Sequence, residues 1–394
     1  MSVLSLLAAL AMIPLAFWLA LLGALALISL YARRRLVLPR PGATARLAVL
    51  IPAHDEELLI ASTVKAILAT AYPQELRTVV VVADNCSDRT AELARQAGAI
   101  CLERHDTQRR GKAFALEFGL AALPDLGDFD AVVLFDADSK PEPDFLARMA
   151  AWVADGREVI QGRYDVLEPE RTWFTRLTSI AMTLKNLWQY PGLDRLGQSV
   201  PLRGTGMCLS RRIVERHGWP GRSLTEDLDA TIAFLSAGIR ITYDPGAVTL
   251  QYMPPDMASA LVQRRRWSAG ENEARAPLTR LIRDRMRCRD ILGALHGLYL
   301  AMPPFSMHFA ACIGLAGVAL LPVLAGEPGA VFRAALALSA AHAAYFLLGL
   351  SELGLRRENL AALGMIPVYA AWRTWVHVAA SIGRVTNWDR TPRV

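Results

Sequence analysis

Residues 131–138 read AVVLFDAD, an apolar run that changes abruptly to two aspartates, Asp136 and Asp138. The apolar part is typical of a strand that is buried on both faces, as strands in parallel sheets are. Two earlier runs have the same character, 47–51 (LAVLI) and 78–83 (TVVVVA). Segments with helical spacing separate these runs. The alternation predicts an α/β domain, with a parallel sheet and helices on both of its faces.

Acidic side chains follow each of the three apolar runs. Asp55 and Glu56 follow the first run, Asp84 ends the second, and Asp136 and Asp138 follow the third. Ligands of parallel α/β sheets bind outside the carboxyl ends of the strands, so we expect these carboxylates around one site rather than on a solvated surface. Two carboxylates two residues apart can hold a divalent cation, although an isolated pair of this kind is often only a turn.

The remainder of this domain has a coarser pattern. We predict further strands at 99–102, 159–162, 207–210, 239–242 and 248–251. We predict helices at 57–70, 89–97, 112–122, 143–153, 172–190, 225–237 and 257–272. The turn Gly204-Thr205-Gly206 directly precedes the strand at 207–210.

Long parts of the sequence carry no charge. Of the 394 residues, 53% are hydrophobic and 20% are charged. Ordinary soluble domains contain about 25% charged residues, so a wholly soluble protein is not expected. Uncharged runs cover residues 1–32, 291–326 and 334–351. Runs of about 20 apolar residues cross the bilayer as helices, because lipid cannot satisfy backbone polar groups.

These runs divide the chain into five predicted segments. They are an N-terminal transmembrane helix (1–32), a cytoplasmic α/β domain (33–279), a basic interfacial segment (280–304), two transmembrane helices (305–354), and an interfacial or re-entrant helix with a cytoplasmic tail (355–394). Arg33, Arg34 and Arg35 follow the first run, and the positive-inside rule therefore places the α/β domain in the cytoplasm of a bacterial-type plasma membrane. A signal peptide is the alternative for residues 1–32, and a fourth span is the alternative for residues 360–382, where Arg373 would be costly in lipid.

The net charge of +6 does not indicate a nucleic-acid partner. The excess of arginine clusters beside the apolar runs, at 33–35 and 280–289, where it suits anionic lipid headgroups. The five cysteines form no Cys-x-x-Cys pair, which argues against both a disulfide framework and a zinc site.

Two charged residues outside the strand ends have two interpretations each. Lys112 offers a cation for a diphosphate, or is an exposed lysine at the start of a helix. Asp227, in Thr225-Glu226-Asp227, compensates a helix dipole, or is a general base whose pKa is raised by Glu226. The residues alone leave both pairs of alternatives open.

Gln263, Arg266 and Trp267 share one face of a predicted helix, because they stand at positions i, i+3 and i+4. Arginine forms paired hydrogen bonds to phosphate, and tryptophan offers a flat apolar face to a sugar ring. The alternative is an interfacial tryptophan with arginines that reach toward the headgroups.

The ordered set of these motifs resembles the membrane-integrated family-2 inverting glycosyltransferases, the group of cellulose, chitin and hyaluronan synthases. The motifs that carry the resemblance are Pro52-Ala53-His54-Asp55-Glu56, Asp84, Asp136-Ala137-Asp138, Gly204-Thr205-Gly206, Thr225-Glu226-Asp227, Gln263-Arg264-Arg265-Arg266-Trp267 and the tail Trp388-Asp389-Arg390-Thr391-Pro392-Arg393. The resemblance covers residues 45–275 and the tail.

The resemblance implies a GT-A-type, Rossmann-like nucleotide-sugar-binding domain and a role for each matching residue. Donor contacts would come from Glu56, Asp84, Lys112, Asp136, Gln263, Arg266 and Trp267. The acceptor would lie against Gly204, Thr205, Glu226 and Trp267. Asp138 would hold Mg²⁺ or Mn²⁺, and Asp227 would be the catalytic base. The expected partners are a nucleotide sugar, with a UDP-sugar first, a glycan or lipid-linked acceptor, and the bilayer.

Such a reaction needs a neutralised leaving group, an aligned and deprotonated acceptor hydroxyl, and exclusion of water. Asp55 departs from the family pattern, which often has Asn there. The Gln-x-x-Arg-Trp pattern leaves both a polymer and a lipid acceptor open. Two rival hypotheses are a nucleotide-sensing transporter, with His308 and His342 as polar residues in the spans, and a nucleotidyltransferase.

Overall fold

The computed structural model of the protein describes residues 2–33 and 42–382. Arg34, Arg35 and the tail at 388–393 lie outside the described residues, so the predictions made on them have no counterpart here. The strands are β1 (Leu47–Ala53), β2 (Arg77–Asp84), β3 (Ile100–Arg104), β4 (Ala131–Leu134), β5 (Ser139–Pro141), β6 (Val159–Val166), β7 (Met207–Ser210) and β8 (Ile241–Gln251).

The helices begin with a long apolar one and end with a group of apolar ones. They are α1 (Val3–Arg33), α2 (Ile60–Leu68), α3 (Thr90–Gln96), α4 (Lys112–Leu126), α5 (Phe145–Ala154), α6 (Trp173–Thr183), α7 (Tyr190–Arg195), α8 (Arg211–His217), α9 (Glu226–Ser236), α10 (Met257–Glu273), α11 (Arg275–Arg287), α12 (Ile291–Leu300), α13 (Phe305–Leu324), α14 (Ala330–Leu353), α15 (Arg357–Leu363) and α16 (Ile366–Ile382). A 3₁₀ turn covers Gln74–Leu76, and a π-helical segment, Leu184–Gln189, joins α6 to α7.

All eight strands form one sheet in the order β3-β2-β1-β4-β7-β6-β8-β5. The first four strands in this order are parallel, as predicted. Alternate residues of β1 enter two separate cores: Leu50 packs with Leu116 of α4 on one face, and Val49 packs with Ile60 and Phe145 on the other. The sheet therefore has helices on both faces.

The second half of the domain, for which no strand directions were predicted, makes the sheet mixed. β7 is antiparallel to both β4 and β6, and β5 is antiparallel to β8. Met207 pairs with Leu134 and Ser210 with Ala131. β7 therefore starts beside the carboxyl end of β4 and runs in the opposite direction. The turn at 204–206 causes this, because it holds the start of β7 beside the acidic end of β4.

One strand replaces the two that were predicted at 239–242 and 248–251. β8 runs without interruption from Ile241 to Gln251, and its pairing with β6 shifts between Gly162 and Arg163. Residues 245–247 form the bulge that absorbs this shift. Pro245 and Gly246 are accommodated in this bulge.

Three helices are long and apolar enough to cross a membrane: Val3–Ala32, Phe305–Leu324 and Ala330–Leu353. Residues 301–304, with Pro303 and Pro304, separate α12 from α13 as expected. α16 is not among these three helices; it packs against α10 and α13, and its Arg373 is buried.

The first apolar helix packs directly on the α/β domain. α1 contacts α7 and the π-helical segment, and Leu22 and Leu25 are buried in the same core as Tyr190 and Leu193. A Cβ atom on Gly192 would lie 2.5 Å from the Leu25 carbonyl oxygen, so only glycine permits this close approach.

Candidate active site

A cavity of about 780 Å³ opens at the acidic edge of the sheet and continues between the apolar helices. Nearly all of the predicted site residues line it: Glu56, Asp84, Lys112, Asp136, Asp138, Gly204, Glu226, Asp227, Gln263, Arg266 and Trp267. They come from β2, the ends of β1 and β4, α4, α9 and α10. Thr205 is the exception, because it is fully buried and does not line the cavity.

Thr205 supports the loop that follows β4. Its hydroxyl lies 2.7 Å from the Ser139 hydroxyl and accepts a hydrogen bond from the Asp136 backbone N–H at 3.2 Å. The Gln161 amide, on β6, donates to the Thr205 carbonyl at 3.0 Å. Thr205 was expected beside the acceptor. In the structure it is buried, and its hydroxyl supports the Asp136 backbone through a hydrogen bond.

Asp136 and Asp138 converge on one amide. The Gln251 Nε2 donates to Asp138 Oδ1 at 2.6 Å and to Asp136 Oδ2 at 3.0 Å. Two carboxylates that meet at one point of a cavity provide the hard oxygen ligands that Mg²⁺ and Mn²⁺ prefer. Gln251 was not identified from the sequence, because it lies more than a hundred residues further along the chain and no local motif marks it.

Lys112 bridges two of the predicted motifs. Its ammonium group lies 2.6 Å from Asp136 Oδ1 and 2.9 Å from Glu226 Oε1, and it donates to the Gly204 carbonyl at 2.8 Å. Burial alone would lower the pKa of Lys112, but Asp136, Glu226 and Asp227 raise it above its usual value. The side chain is therefore a permanent cation, and its interpretation as an exposed lysine is wrong.

Gly204 allows this convergence. Its φ of 78° is in the left-handed region, and a Cβ atom there would lie 3.1 Å from Lys112 Nζ and 3.5 Å from Asp227 Oδ2. A side chain would therefore intrude between the lysine and the aspartate.

Asp227 has the properties of a proton acceptor. Burial and the neighbouring Glu226 raise its pKa to about 7, against the opposing effects of Lys112 and Arg203. Its Oδ1 accepts a hydrogen bond from the Leu228 N–H at 2.8 Å, and no cation lies within 4.0 Å of its carboxylate among the described residues. The start of α9 has Thr225 at its N-cap position without a side-chain cap, and Asp229 accepts hydrogen bonds from the N–H groups of Arg222 and Ser223 in the preceding loop.

Asp84 is held by a partner that the sequence did not reveal. Arg104, at the end of β3, donates to Asp84 Oδ1 at 2.5 Å, and Asn85 donates to the same oxygen at 2.9 Å. Asp55 has a φ of 52°, and its Oδ1 accepts from the Ser87 N–H at 2.7 Å. Asn and Asp are the non-glycine residues that most readily adopt this conformation, so Asp55 can fill a position where the family often has Asn.

α10 closes the cavity with the residues that were predicted for one face. Gln263, Arg266 and Trp267 all line it, and the Arg264 guanidinium stacks on the Trp267 ring, 4.3 Å from its centroid. A Cβ atom on Gly270 would lie 2.1 Å from Thr225 Oγ1, so this glycine lets α10 pack against the start of α9.

The far end of the cavity is apolar. Phe305, Phe309 and Ile313 of α13, Phe346 of α14 and Ile366 of α16 line it. Lys185, Arg203, Glu271 and Arg373 line the same cavity and were not predicted as site residues. Only Arg373 gave a signal in the sequence, as a charge in the middle of an apolar segment.

Comparisons with known proteins agree with this geometry. Residues 44–270 match a family model described as glycosyltransferase like family 2. The protein named probable glycosyltransferase YdaM of Bacillus subtilis is 27% identical over 234 residues, which cover 57% of this chain and 55% of the relative. The beta-monoglucosyldiacylglycerol synthase of Trichormus variabilis is 26% identical over 243 residues, which cover 58% of this chain and 49% of the relative. The chain thus spans about half the length of the curated relatives it matches.

A solved structure shares the fold over nearly the whole chain. The mannosyltransferase PcManGT of Pyrobaculum calidifontis, in complex with GDP-Man and Mn²⁺, superposes with a TM-score of 0.58 at 22% identity, covering 95% of this chain and 98% of that one. The family match favours sugar transfer over nucleotidyl transfer and over transport alone. The chain belongs to glycosyltransferase family 2, and its α/β domain has the GT-A-type fold that the resemblance implied.

Proposed function

We propose that this enzyme is an inverting, metal-dependent glycosyltransferase that moves a sugar from a nucleotide donor to a membrane lipid. The observation that carries the proposal is the single cavity that joins the carboxylates at the end of β4 to the apolar walls of α13, α14 and α16. An acceptor with an acyl tail can place its headgroup at Asp227 while the tail remains among apolar side chains.

The reaction needs one base. The acceptor hydroxyl attacks the anomeric carbon, the bond from that carbon to the phosphate oxygen breaks, and the nucleoside diphosphate leaves with the electron pair. Asp227 takes the hydroxyl proton, and the anomeric configuration inverts because only one displacement occurs. Its carboxylate lies beside Gly204 and has no ion pair within 4.0 Å among the described residues, unlike Glu226, which Lys112 neutralises.

Mg²⁺ or Mn²⁺ would be held by Asp138 and Asp136, where the two carboxylates converge. A bound cation would supply neutralisation of the charge that develops on the leaving diphosphate. Asp136, Asp138, Glu226 and Asp227 all line this end of the cavity, and Lys112 pairs with Asp136 and Glu226. Carboxylate oxygens are the ligands that Mg²⁺ and Mn²⁺ prefer.

The proposed orientation places the α/β domain in the cytoplasm, with α1, α13 and α14 in the bilayer. Many large side chains on the outer face of α1 are exposed, Leu7, Leu10 and Ile13 among them, as a lipid-facing helix requires. The supply of nucleotide sugars in the cytoplasm agrees with this orientation.

The test is product analysis with purified enzyme in nanodiscs. Each UDP-sugar, and GDP-mannose as well, is supplied with Mn²⁺ and a total lipid extract, and nucleotide release and product mass are recorded. We expect one donor to give a lipid whose mass has increased by one sugar. A water-soluble polymer as the product, with no glycosylated lipid, would contradict the lipid acceptor and favour a polysaccharide synthase.

A further inference from the structure

Four cationic side chains line the cavity on the side of the apolar helices. Lys185 belongs to the π-helical segment, Arg203 precedes the glycine turn, Arg264 is on α10 and Arg373 is on α16. Four separate elements thus bring positive charge to one place. Glu271 is the one carboxylate that the described residues add there.

Three of these cations have no acidic partner. Among the described residues, no carboxylate lies within 4.0 Å of the charged groups of Lys185, Arg203 or Arg264. Arg264 is 6% exposed, and its Nε is buried without a hydrogen-bond partner. The fourth, Arg373, is 3% exposed and shares Glu271 with His377, at 3.6 Å and 3.7 Å. Lys185 and Arg203 are half-buried, whereas Arg264 and Arg373 are buried. A buried charge without an acidic partner is costly, so this group suits an anion that arrives with a ligand.

The same excess of positive charge affects the pKa of Lys185. Burial, together with Arg203, Arg264 and Arg373, lowers its pKa to about 7, and Glu271 opposes this shift. An anion bound beside it would favour the charged form.

The cationic group extends from the neighbourhood of Asp227 to α16. Arg203 directly precedes Gly204, whose Cβ position lies 3.5 Å from Asp227 Oδ2, and the Arg203 guanidinium contacts Met182 Sδ of α6 at 3.7 Å. Ile366 lines the apolar end of the cavity, and Arg373 lines the cavity about two helical turns further along α16, on the same face of the helix. A ligand that occupies this path would carry its anionic group between a reactive hydroxyl and an apolar tail.

We propose that Lys185, Arg203, Arg264 and Arg373 bind the phosphate of the acceptor, and that the acceptor is an anionic glycerophospholipid with a free hydroxyl on its headgroup. This inference rests on the proposed function. A phosphodiester accepts hydrogen bonds from guanidinium and ammonium groups, and the hydroxyl, a few bonds away, reaches Asp227. A neutral diacylglycerol offers a hydroxyl and a tail but nothing for the cations.

The decisive experiment compares two acceptors in phosphatidylcholine nanodiscs, phosphatidylglycerol and diacylglycerol, with the donor identified as above. The wild-type enzyme is expected to glycosylate phosphatidylglycerol in preference. Lys185→Met removes one cation from the phosphate site, and we expect the KM for phosphatidylglycerol to rise about ten-fold or more while the KM for the nucleotide sugar is unchanged. Lys65→Met, on the exposed face of α2, is the matched control and should change neither value.

A binding measurement makes the result independent of turnover. Dioctanoyl phosphatidylglycerol should raise the unfolding temperature of the detergent-solubilised wild type more than dioctanoylglycerol does, and Lys185→Met should lose that difference. Because Lys185 has no ion pair among the described residues, its removal should not lower the unfolding temperature of the free protein.

Three outcomes would overturn the inference. Equal use of diacylglycerol and phosphatidylglycerol would overturn the phosphate site while the lipid-transferase function stands. A rise in the KM for the donor instead of the acceptor would assign the cations to the donor diphosphate. Turnover of the donor without any lipid product would contradict the proposed function itself.

Discussion

Asp227 and its neighbours show how the environment of a residue, more than its type, determines its chemistry. Six acidic side chains line the end of the cavity at the sheet, Glu56, Asp84, Asp136, Asp138, Glu226 and Asp227. Arg104 holds Asp84, and Lys112 holds both Asp136 and Glu226. Asp227 lines the same cavity without an ion pair among the described residues, and its pKa is raised, so it is the carboxylate best prepared to accept a proton.

The first prediction concerns this base. Asp227→Asn should lower kcat by roughly 10²- to 10⁴-fold, the contribution of a general base, because the amide cannot take the proton. Donor binding, measured by calorimetry, should remain. Asp125→Asn, at an exposed position of α4, is the control. Full turnover by Asp227→Asn would exclude it as the base.

The second prediction concerns pH. The pKa of Asp227 is raised to about 7, so kcat/KM should increase with pH through that value, as the carboxylate loses its proton and becomes able to act as a base. Glu226→Gln removes a negative charge that raises this pKa, so the acidic limb of the profile should move to lower pH. Glu75→Gln, which is exposed and remote, should leave the limb in place. A limb that stays in place in Glu226→Gln would mean that another group titrates.

The third prediction concerns metal. Gln251 orients both Asp136 and Asp138, and loss of such a supporting contact typically weakens metal binding about 10- to 100-fold. Gln251→Met should therefore require more Mn²⁺ for half-maximal activity after treatment with EDTA. Gln96→Met, on the exposed side of α3, should need the same Mn²⁺ concentration as the wild type to regain half-maximal activity. An unchanged Mn²⁺ requirement would argue that the cation binds elsewhere.

At the scale of elements, the position of the cavity-lining side chains of α10 depends on the close contact of this helix with the start of α9. Gly270 faces Thr225. Thr225 directly precedes Glu226 and Asp227 in the sequence. The same helix presents Gln263, Arg266 and Trp267 to the cavity. Helix spacing alone was sufficient to predict that these three share a face, whereas the glycine contact depends on two segments that are 45 residues apart.

The fourth prediction tests this contact. Gly270→Ala should push α10 away from Thr225, cost roughly 1–3 kcal/mol of stability through overpacking, and lower activity by displacing Trp267 within the cavity. Gly317→Ala, in the interior of α13 with no atom within 4 Å of its Cβ position, is the matched control and should be neutral. Thermal unfolding and nucleotide release measure the two effects. Equal values for both variants would show that α10 is not fixed by this glycine.

Local signals account for the elements that were predicted correctly. The apolar runs of β1, β2 and β4 and the acidic residues after them were sufficient to predict the parallel half of the sheet and the edge at which the cavity opens. The direction of β7 could not be predicted, because it depends on the contact of Thr205 with Ser139 and Asp136, which are 66 and 69 residues away in sequence. The π-helical segment that carries Lys185 likewise has no pattern of its own in the sequence.

At the scale of the whole molecule, the apolar helices and the α/β domain are packed as one body. α1 contacts α7, α13 and α14, and the buried hydroxyls of Tyr299 and Tyr345 each hydrogen-bond Gln189 at 2.9 Å. The hydrophobic runs alone predicted the three long apolar helices. They could not predict that α13, α14 and α16 would complete the cavity, because that depends on tertiary packing.

The fifth prediction tests the docking of the first helix. Gly192→Ala should separate α7 from α1, because the new Cβ atom would lie 2.5 Å from the Leu25 carbonyl oxygen. The unfolding temperature in detergent should fall, with a loss of roughly 1–3 kcal/mol. Gly23→Ala, on α1 itself, is the control, because no atom lies within 4 Å of the Cβ position of Gly23. Identical melting of the two variants would show that α1 does not contribute to the stability of the domain.

The cavity that reaches from the end of β4 to α13 and α14 has a kinetic consequence under the proposed function. One substrate would enter from bulk water, and the other would arrive by lateral diffusion within a two-dimensional fluid. The rate would then follow the molarity of the nucleotide sugar but the mole fraction of the lipid. Diluting the acceptor with inert phospholipid at constant total amount should slow the enzyme, whereas diluting the whole suspension should not.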